Sequence, residues 1–171
     1  MANSPTYKVK FRRRRENITD YRKRLALLKS GLPRAVVRKT LRRTIVQVVN
    51  YNEKGDETIV FASSLDLKKY GWNKSTKSVP AAYLTGYLVG KIAKAKGIDS
   101  MVLDIGRQKP TKGGRLFASL KGLLDAGIEI NHGEEIFPDE DRILGKHLGD
   151  DYPSIFEEVK NKIDQSIKTE E

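Results

Sequence analysis

The chain has 171 residues, 38% hydrophobic and 32% charged, with 33 Lys and Arg against 22 Asp and Glu and a net charge of +11. That length supports one compact domain with a core of its own plus extensions, and the polarity suits a protein that coats RNA better than a free-standing enzyme. There is no cysteine, which excludes disulfides, thiolate metal sites and Cys nucleophiles.

The charge is polarised. Residues 1–43 hold 15 bases and two acids, Glu16 and Asp20. Residues 44–130 hold 13 bases and 8 acids, and residues 131–171 hold 5 bases and 12 acids. A dense block of like charge repels itself, stays extended and orders best against a polyanion. The start therefore reads as a nucleic-acid-binding element and the end as a separately purposed tail. Residues 1–11 lack the apolar core of a signal peptide. The longest apolar stretch, residues 79–92, is too short to span a bilayer and is broken by Gly86, Gly90 and Lys91. The expectation is a soluble cytoplasmic protein with no membrane partner.

Residues 1–17 show no periodic apolar pattern and are expected to form a basic extended arm, disordered when free. A helix follows, capped by Thr19 or Asp20, with Tyr21, Leu25 and Leu28 on one face packing on a core. Gly31 and Pro33 stop it. Residues 34–40, 44–51 and 58–63 are β-branched runs split by turn residues, the pattern of an antiparallel meander. Alternation places Arg34, Val36 and Arg38 on one face and Ala35 and Val37 on the other; Arg43, Ile45 and Gln47 likewise share a face. One face of the sheet is thus expected to be cationic and open. Residues 80–96 form the covering helix, with Pro80 in its first turn and Gly97 past its end. In it Ala82, Gly86 and Gly90 make a small-residue stripe that lets another backbone come close. A strand at 101–105, a helix at 116–126 and a short strand at 128–130 complete the domain. The fold class is α/β: a mixed β-sheet with helices mainly on one face, a basic N-terminal arm and a helical acidic C-terminal extension. The units are 1–17, 18–130 and 131–171. In the last unit, Pro138 to Asp141 marks a helix start, and Ser154 with Glu157 fits a capping box. Phe156, Val159, Ile163 and Ile167 make an amphipathic face that needs a partner, its own domain or a neighbour.

No catalytic residue, metal or cofactor is expected. His132 and His147, the only histidines, read as surface polar groups, because a structural zinc site needs four N/S ligands. Asp104 ends a predicted strand, where a ribonuclease-H-type nuclease would place a metal-binding carboxylate. The clustered carboxylates of a two-metal site do not show in the sequence. The strongest signal is the arginine-rich start: Arg12, Arg13, Arg14, Arg15, Arg22, Lys23, Arg24, Arg34, Arg38, Lys39, Arg42 and Arg43. Guanidinium forks match phosphate oxygens two at a time and also stack on bases. The loop at 106–115 adds Arg107, Lys109, Lys112 and Arg115 beside Gly113 and Gly114, just before a helix start. It lacks the spacing of a P-loop but suits phosphate. In the loop at 68–77, Tyr70, Trp72 and Lys74 interleave aromatic rings with cations, as stacking on unpaired bases requires. Trp72 packing back as a loop anchor is an equally open reading.

The segments YRKRLALLKSG, RAVVRKTLRRTIVQVV, VPAAYLTGYLVGKIA, GGRLFASLKGLLDAGIEI and HGEEIFPDEDRILGKHL together resemble the archaeal type of the universal 5S-rRNA-binding protein family of the large ribosomal subunit, the eighteenth large-subunit protein in bacterial naming. The resemblance runs nearly end to end. The bacterial form is shorter and ends near residues 128–130; the acidic extension suits archaeal and eukaryotic forms. The resemblance implies a non-catalytic structural role in the large ribosomal subunit. The chain would bind 5S rRNA and help attach it to 23S-type large-subunit rRNA at the central protuberance, beside neighbouring large-subunit proteins. It also implies RNA contacts on the arm, the open sheet face and the loops, and so adds Gln47 to the positions above. The alternatives are an RNA-processing nuclease using Asp104 and a divalent ion, and a basic protein that binds any polyanion.

Overall fold

The computed structural model describes residues 4–168; residues 1–3 of the arm and 169–171 of the extension lie outside the described residues. The arm contains a single helical turn, α1 (Arg12–Arg15), with all four arginines exposed. The next helix, α2 (Tyr21–Leu28), starts at Asp20, whose side chain accepts the N–H groups of Arg22 and Lys23. These bonds, that to Lys23 first, hold the Asp20 carboxyl below the usual range. No residue of α2 is buried, so the expected packing of its apolar face on a core does not occur. Eight residues with three leucines offer too narrow a stripe to compete with the helices on the other face.

The meander forms as the alternation predicts: β1 (Arg34–Lys39), β2 (Thr44–Asn50) and β3 (Glu57–Ser63) are antiparallel neighbours. The helix α3 (Val79–Ala95) then crosses the sheet, and β4 (Val102–Asp104) pairs in parallel with the far side of β1. The strand order is β3-β2-β1-β4, a mixed sheet with one parallel pair. The expected last strand at 128–130 reduces to a single parallel bridge between Ser100 and Glu129. The helix α4 (Arg115–Asp125) lies beside α3 on the same face. Ala35, Val37, Val46, Val48, Val60 and Ala62 point from the sheet into that layer, where Leu84, Leu88, Leu116, Leu120 and Leu123 meet them.

The small-residue stripe of α3 receives the backbone of α4. A Cβ on Gly86 would sit 2.1 Å from the Ser119 carbonyl oxygen, and one on Gly122 would sit 2.2 Å from the Tyr83 carbonyl oxygen. The Ser119 hydroxyl donates to the Ala82 carbonyl at 3.0 Å. Close backbone contact buries both helices deeply and leaves no room for larger side chains.

Beyond α4 come a short helix, α5 (Glu140–Leu144), and the terminal helix α6 (Tyr152–Lys168). Ser154 is the third residue of α6 and its hydroxyl donates to the Asp151 carbonyl at 2.9 Å. The helix begins before Ser154, so the capping box does not form. Phe156, Val159 and Ile163 are buried in the same core, against α3. At that seam the Tyr87 hydroxyl donates to Asp164 at 2.8 Å, Lys91 pairs with Asp164 at 3.3 Å, and the Tyr83 ring lies 5.4 Å from that of Phe156. The Tyr83 hydroxyl donates to Asp125 at 2.7 Å. Burial, reinforced by these carboxylates, pushes both phenols above their ordinary range. Among the described residues no helix is long and apolar enough to cross a membrane.

Candidate nucleic-acid interface

The face of the sheet turned away from α3 and α4 carries Arg34, Val36 and Arg38 on β1, with Gln47 paired opposite Val36 and Ile45 opposite Arg38. Over it stand α2 and the end of the arm. Between them runs a groove of about 580 Å³, floored by Val36, Val49, Leu103 and Ile105 and walled by Leu27. Arg13, Lys23, Arg38 and Arg107 line it with cations. The Arg13 guanidinium donates to the Thr19 hydroxyl at 2.9 Å, which ties α1 to the start of α2.

Two carboxylates order the arginines below α2. Asp56, in the turn before β3, accepts two bonds from Arg24 at 2.8 and 2.9 Å and one from Arg34 at 2.6 Å. Asp104, at the end of β4, accepts from Arg34 and Arg38, each at 3.1 Å, and from the Gly106 N–H at 2.8 Å. The paired guanidiniums, Arg24 first, hold the Asp56 carboxyl below its ordinary range and raise Arg24 in turn. Arg34 is only 3% exposed. Its guanidinium is spent inside the protein, and its Nε–H has no partner among the described residues. Arg34 thus supports the surface instead of presenting charge on it. Asp104 faces two guanidiniums, an arrangement that leaves it no oxygen free for a divalent ion.

At one end of the sheet the β1–β2 hairpin turns tightly. The Thr40 hydroxyl accepts from the N–H groups of Arg42 and Arg43, and Thr40 N–H bonds the Arg43 carbonyl at 2.8 Å. The Arg115 guanidinium donates to the Thr40 carbonyl at 3.1 Å. The side-chain amide of Gln108 pairs with the backbone of Lys39 at both its N–H and its carbonyl, at 3.1 and 3.3 Å. Gln108 thereby acts as one further rung of the sheet and brings the loop of Arg107 and Lys109 against the tip of Lys39, Arg42 and Arg43. Sequence reading passed over Gln108, since a lone amide between bases gives no signal of its own. Leu41, at the tip, is 92% exposed. Lys112 lies further along the loop and pairs with Glu135 at 3.0 Å.

The second loop goes elsewhere. Trp72 is 1% exposed, stands edge-on to Tyr152 with ring centroids 6.2 Å apart, and donates to the Ser75 carbonyl at 3.4 Å. It is a loop anchor, because the ring is closed in on both faces. Tyr70 packs partly on the core, and Lys74 pairs with Asp151 at 3.8 Å and lies over the Tyr152 ring. This loop docks on the start of α6 and presents no open aromatic platform.

What remains is an asymmetric surface. Among the described residues, Arg13, Arg14, Arg15, Arg22, Lys23, Lys39, Arg42, Arg43, Arg107 and Lys109 have no carboxylate in salt-bridge range, whereas Arg24, Arg34 and Arg38 do, and the exposed Arg12 has Glu16 at 3.6 Å. These ten stand on the arm, α2, the hairpin tip and the adjoining loop, seven of them arginines, whereas the lysines without an ion pair elsewhere, such as Lys68, Lys69, Lys160 and Lys162, are scattered over other elements. Comparison with known proteins gives a consistent result. The family model described as "Ribosomal large subunit proteins 60S L5, and 50S L18" matches residues 5–101. The large ribosomal subunit protein uL18 of Korarchaeum cryptofilum (strain OPF8) is 60% identical over 148 residues, spanning 86% of this chain and 76% of the relative. That of Methanothermobacter thermautotrophicus is 42% identical over 192 residues, spanning 98% of this chain and the whole of the relative.

Proposed function

Since this chain belongs to the family of ribosomal large-subunit proteins 60S L5 and 50S L18, and is a structural protein of the large subunit and not an enzyme, we propose that it binds 5S rRNA and helps attach it to 23S-type rRNA at the central protuberance. The observation that supports this is the concentration of exposed arginines on the arm, α2 and the hairpin tip, most of them without a carboxylate in salt-bridge range, around an open sheet face. Arg12 to Arg15, Arg22, Lys23, Lys39, Arg42, Arg43, Arg107 and Lys109 neutralise phosphates. Gln47 and Arg38, at the groove, read unpaired bases or riboses. Arg24 and Arg34 position that surface from beneath, through Asp56 and Asp104. Arg115 braces the hairpin. RNA shape and a few unpaired bases give the specificity, as is usual for rRNA. The exposed acids of α5 and α6 repel phosphate and face neighbouring large-subunit proteins.

The test is binding of the full chain to 5S rRNA at near-physiological salt with excess tRNA. Binding that survives the competitor is expected. Binding that tRNA abolishes would leave only a polyanion binder. Replacing Arg12 to Arg15 by Ala is expected to lower affinity and to flatten the logarithmic salt slope by roughly three units, at just under one unit per phosphate neutralised. An unchanged slope would remove α1 from the interface.

A further inference from the structure

The segment before α1 reads Tyr7-Lys8-Val9-Lys10-Phe11-Arg12. Apolar and cationic residues alternate with a period of two, a pattern that a search for helical spacing passes over and that corrects the expectation of an unpatterned arm. No helix or ladder involves residues 7–11, and Phe11 has extended backbone angles, φ −52° and ψ 147°. In extended chain, alternate side chains face opposite ways. Tyr7 is 51% exposed, Val9 62% and Phe11 84%. Their backbone bonds are local: Tyr7 N–H reaches the Ser4 carbonyl, and the Phe11 carbonyl accepts from Arg14 and Arg15. Neither ring stacks on another aromatic ring or on a cation among the described residues. The domain buries Trp72, Tyr83, Tyr87 and Phe156, while Tyr51 and Phe61 on the sheet are 54% and 56% exposed, so Phe11 is the most open Phe, Tyr or Trp ring among the described residues. What sets Tyr7 and Phe11 apart is that both rings lie on one extended segment with a cation at every second position.

We infer that residues 7–11 form a two-sided RNA-binding strand leading into α1, in which Lys8 and Lys10 follow phosphates while the rings of Tyr7 and Phe11 stack on unpaired bases. Charge decides the occupant. A protein groove that took Tyr7, Val9 and Phe11 would also have to accommodate two lysines on the reverse edge, next to four arginines. RNA supplies both faces at once, because each unpaired nucleotide carries a π-face and a phosphate. The inference rests on the reading that this chain's partner is rRNA. It adds to that reading a ring-to-base contact that charge alone does not give.

The experiment uses the full chain and three probes: 5S rRNA, a single-stranded RNA 12-mer of mixed sequence, and a fully paired duplex of the same length. Tyr7→Leu and Phe11→Leu keep apolar bulk and remove the ring. They are expected to weaken binding to 5S rRNA and the single strand by at least about fivefold each, with little change on the duplex. The salt slope is expected to stay at the wild-type value. Phe11→Trp is expected to restore or exceed wild-type affinity. Lys8→Gln with Lys10→Gln is expected to do the converse, lowering the slope by roughly one to two units on all three probes. Leucine variants that bind 5S rRNA and the single strand as the wild type does would overturn the inference and reassign the rings to a protein partner. So would a loss that is equal on duplex and single strand. A wild-type chain that does not distinguish 5S rRNA from tRNA would overturn the 5S reading alone, since the single-strand and duplex arms still report the rings. Because none of these side chains belongs to the hydrophobic core, the variants are expected to keep the wild-type thermal midpoint.

Discussion

Arg34 and Trp72 show how far a side chain's type is from its role. Both carry the chemistry of RNA recognition, and both are turned inward. Local sequence does not reveal this, since the partners that draw them in, Asp104 and Tyr152, lie 70 and 80 residues away in the chain. The composition of the basic start was legible; which of its arginines are free to meet phosphate was not. The inward arginines carry a testable cost. Asp104→Asn leaves Arg34 buried with half its charge compensation, and breaking such a buried pair costs about 3–5 kcal/mol. At roughly 2–4 °C per kcal/mol for a chain of this size, the thermal midpoint is expected to fall by about 10 °C. A midpoint within about 2 °C of wild type would mean that the network adds nothing to stability. Arg22→Ala, on the exposed side of α2, is expected to leave the midpoint unchanged while weakening RNA binding.

The elements tell a similar story. The three antiparallel strands, α3 and α4 sit where alternation, caps and glycines place them, within a residue or two at each end. These signals are local, and the tertiary structure agrees with them. The exceptions depend on competition. The 128–130 run is β-branched, yet only one bridge forms. The apolar residues of α2 recur at helical spacing, yet the other face of the sheet already holds two better-matched helices. The α3–α4 contact was foreseen as a close approach, and its tightness is measurable. Gly122→Ala would place a methyl 2.7 Å from the Tyr87 nitrogen as well as against the Tyr83 carbonyl. A gain of about 1 kcal/mol in helix propensity is set against strain that typically reaches about 1–3 kcal/mol and is larger against rigid backbone. A net loss of about 2 kcal/mol or more in urea unfolding is expected. An increase in stability would show that the two helices separate freely.

Taken together, the chain is a two-faced body. Cations look outward from the arm and sheet; helices and acids close the other side. Its stability should be bounded by two sets of groups as pH changes. The Asp56 carboxyl, paired with Arg24 and Arg34, titrates below its ordinary 3.8, so its contribution is complete above that pH and is lost as pH falls through the lowered value. The Tyr83 and Tyr87 phenols titrate above their ordinary 10.0. The folded state therefore holds those protons more tightly, and stability is kept below pH 10.0 and lost as pH rises beyond it. Thermal midpoints across pH are expected to show a plateau between these limits. Tyr87→Phe is expected to soften the alkaline fall, and an unaltered fall would place its cause in other groups.

The seam between α3 and α6 also sets a schedule for synthesis. Phe156, Val159 and Ile163 complete a core whose other members lie between Ala35 and Ile143. The meander closes early, from contacts near in sequence, as the chain leaves the ribosome that makes it. The part of α3 around Tyr83 and Tyr87 has to wait until α6, residues 152–168, has been translated. Throughout that interval the growing chain shows an uncovered aromatic surface at one end and an arginine-rich arm at the other, amid the cell's most concentrated supply of RNA. The terminal helix is thus also a clock: until it docks, the newborn protein is most exposed to premature capture and to aggregation.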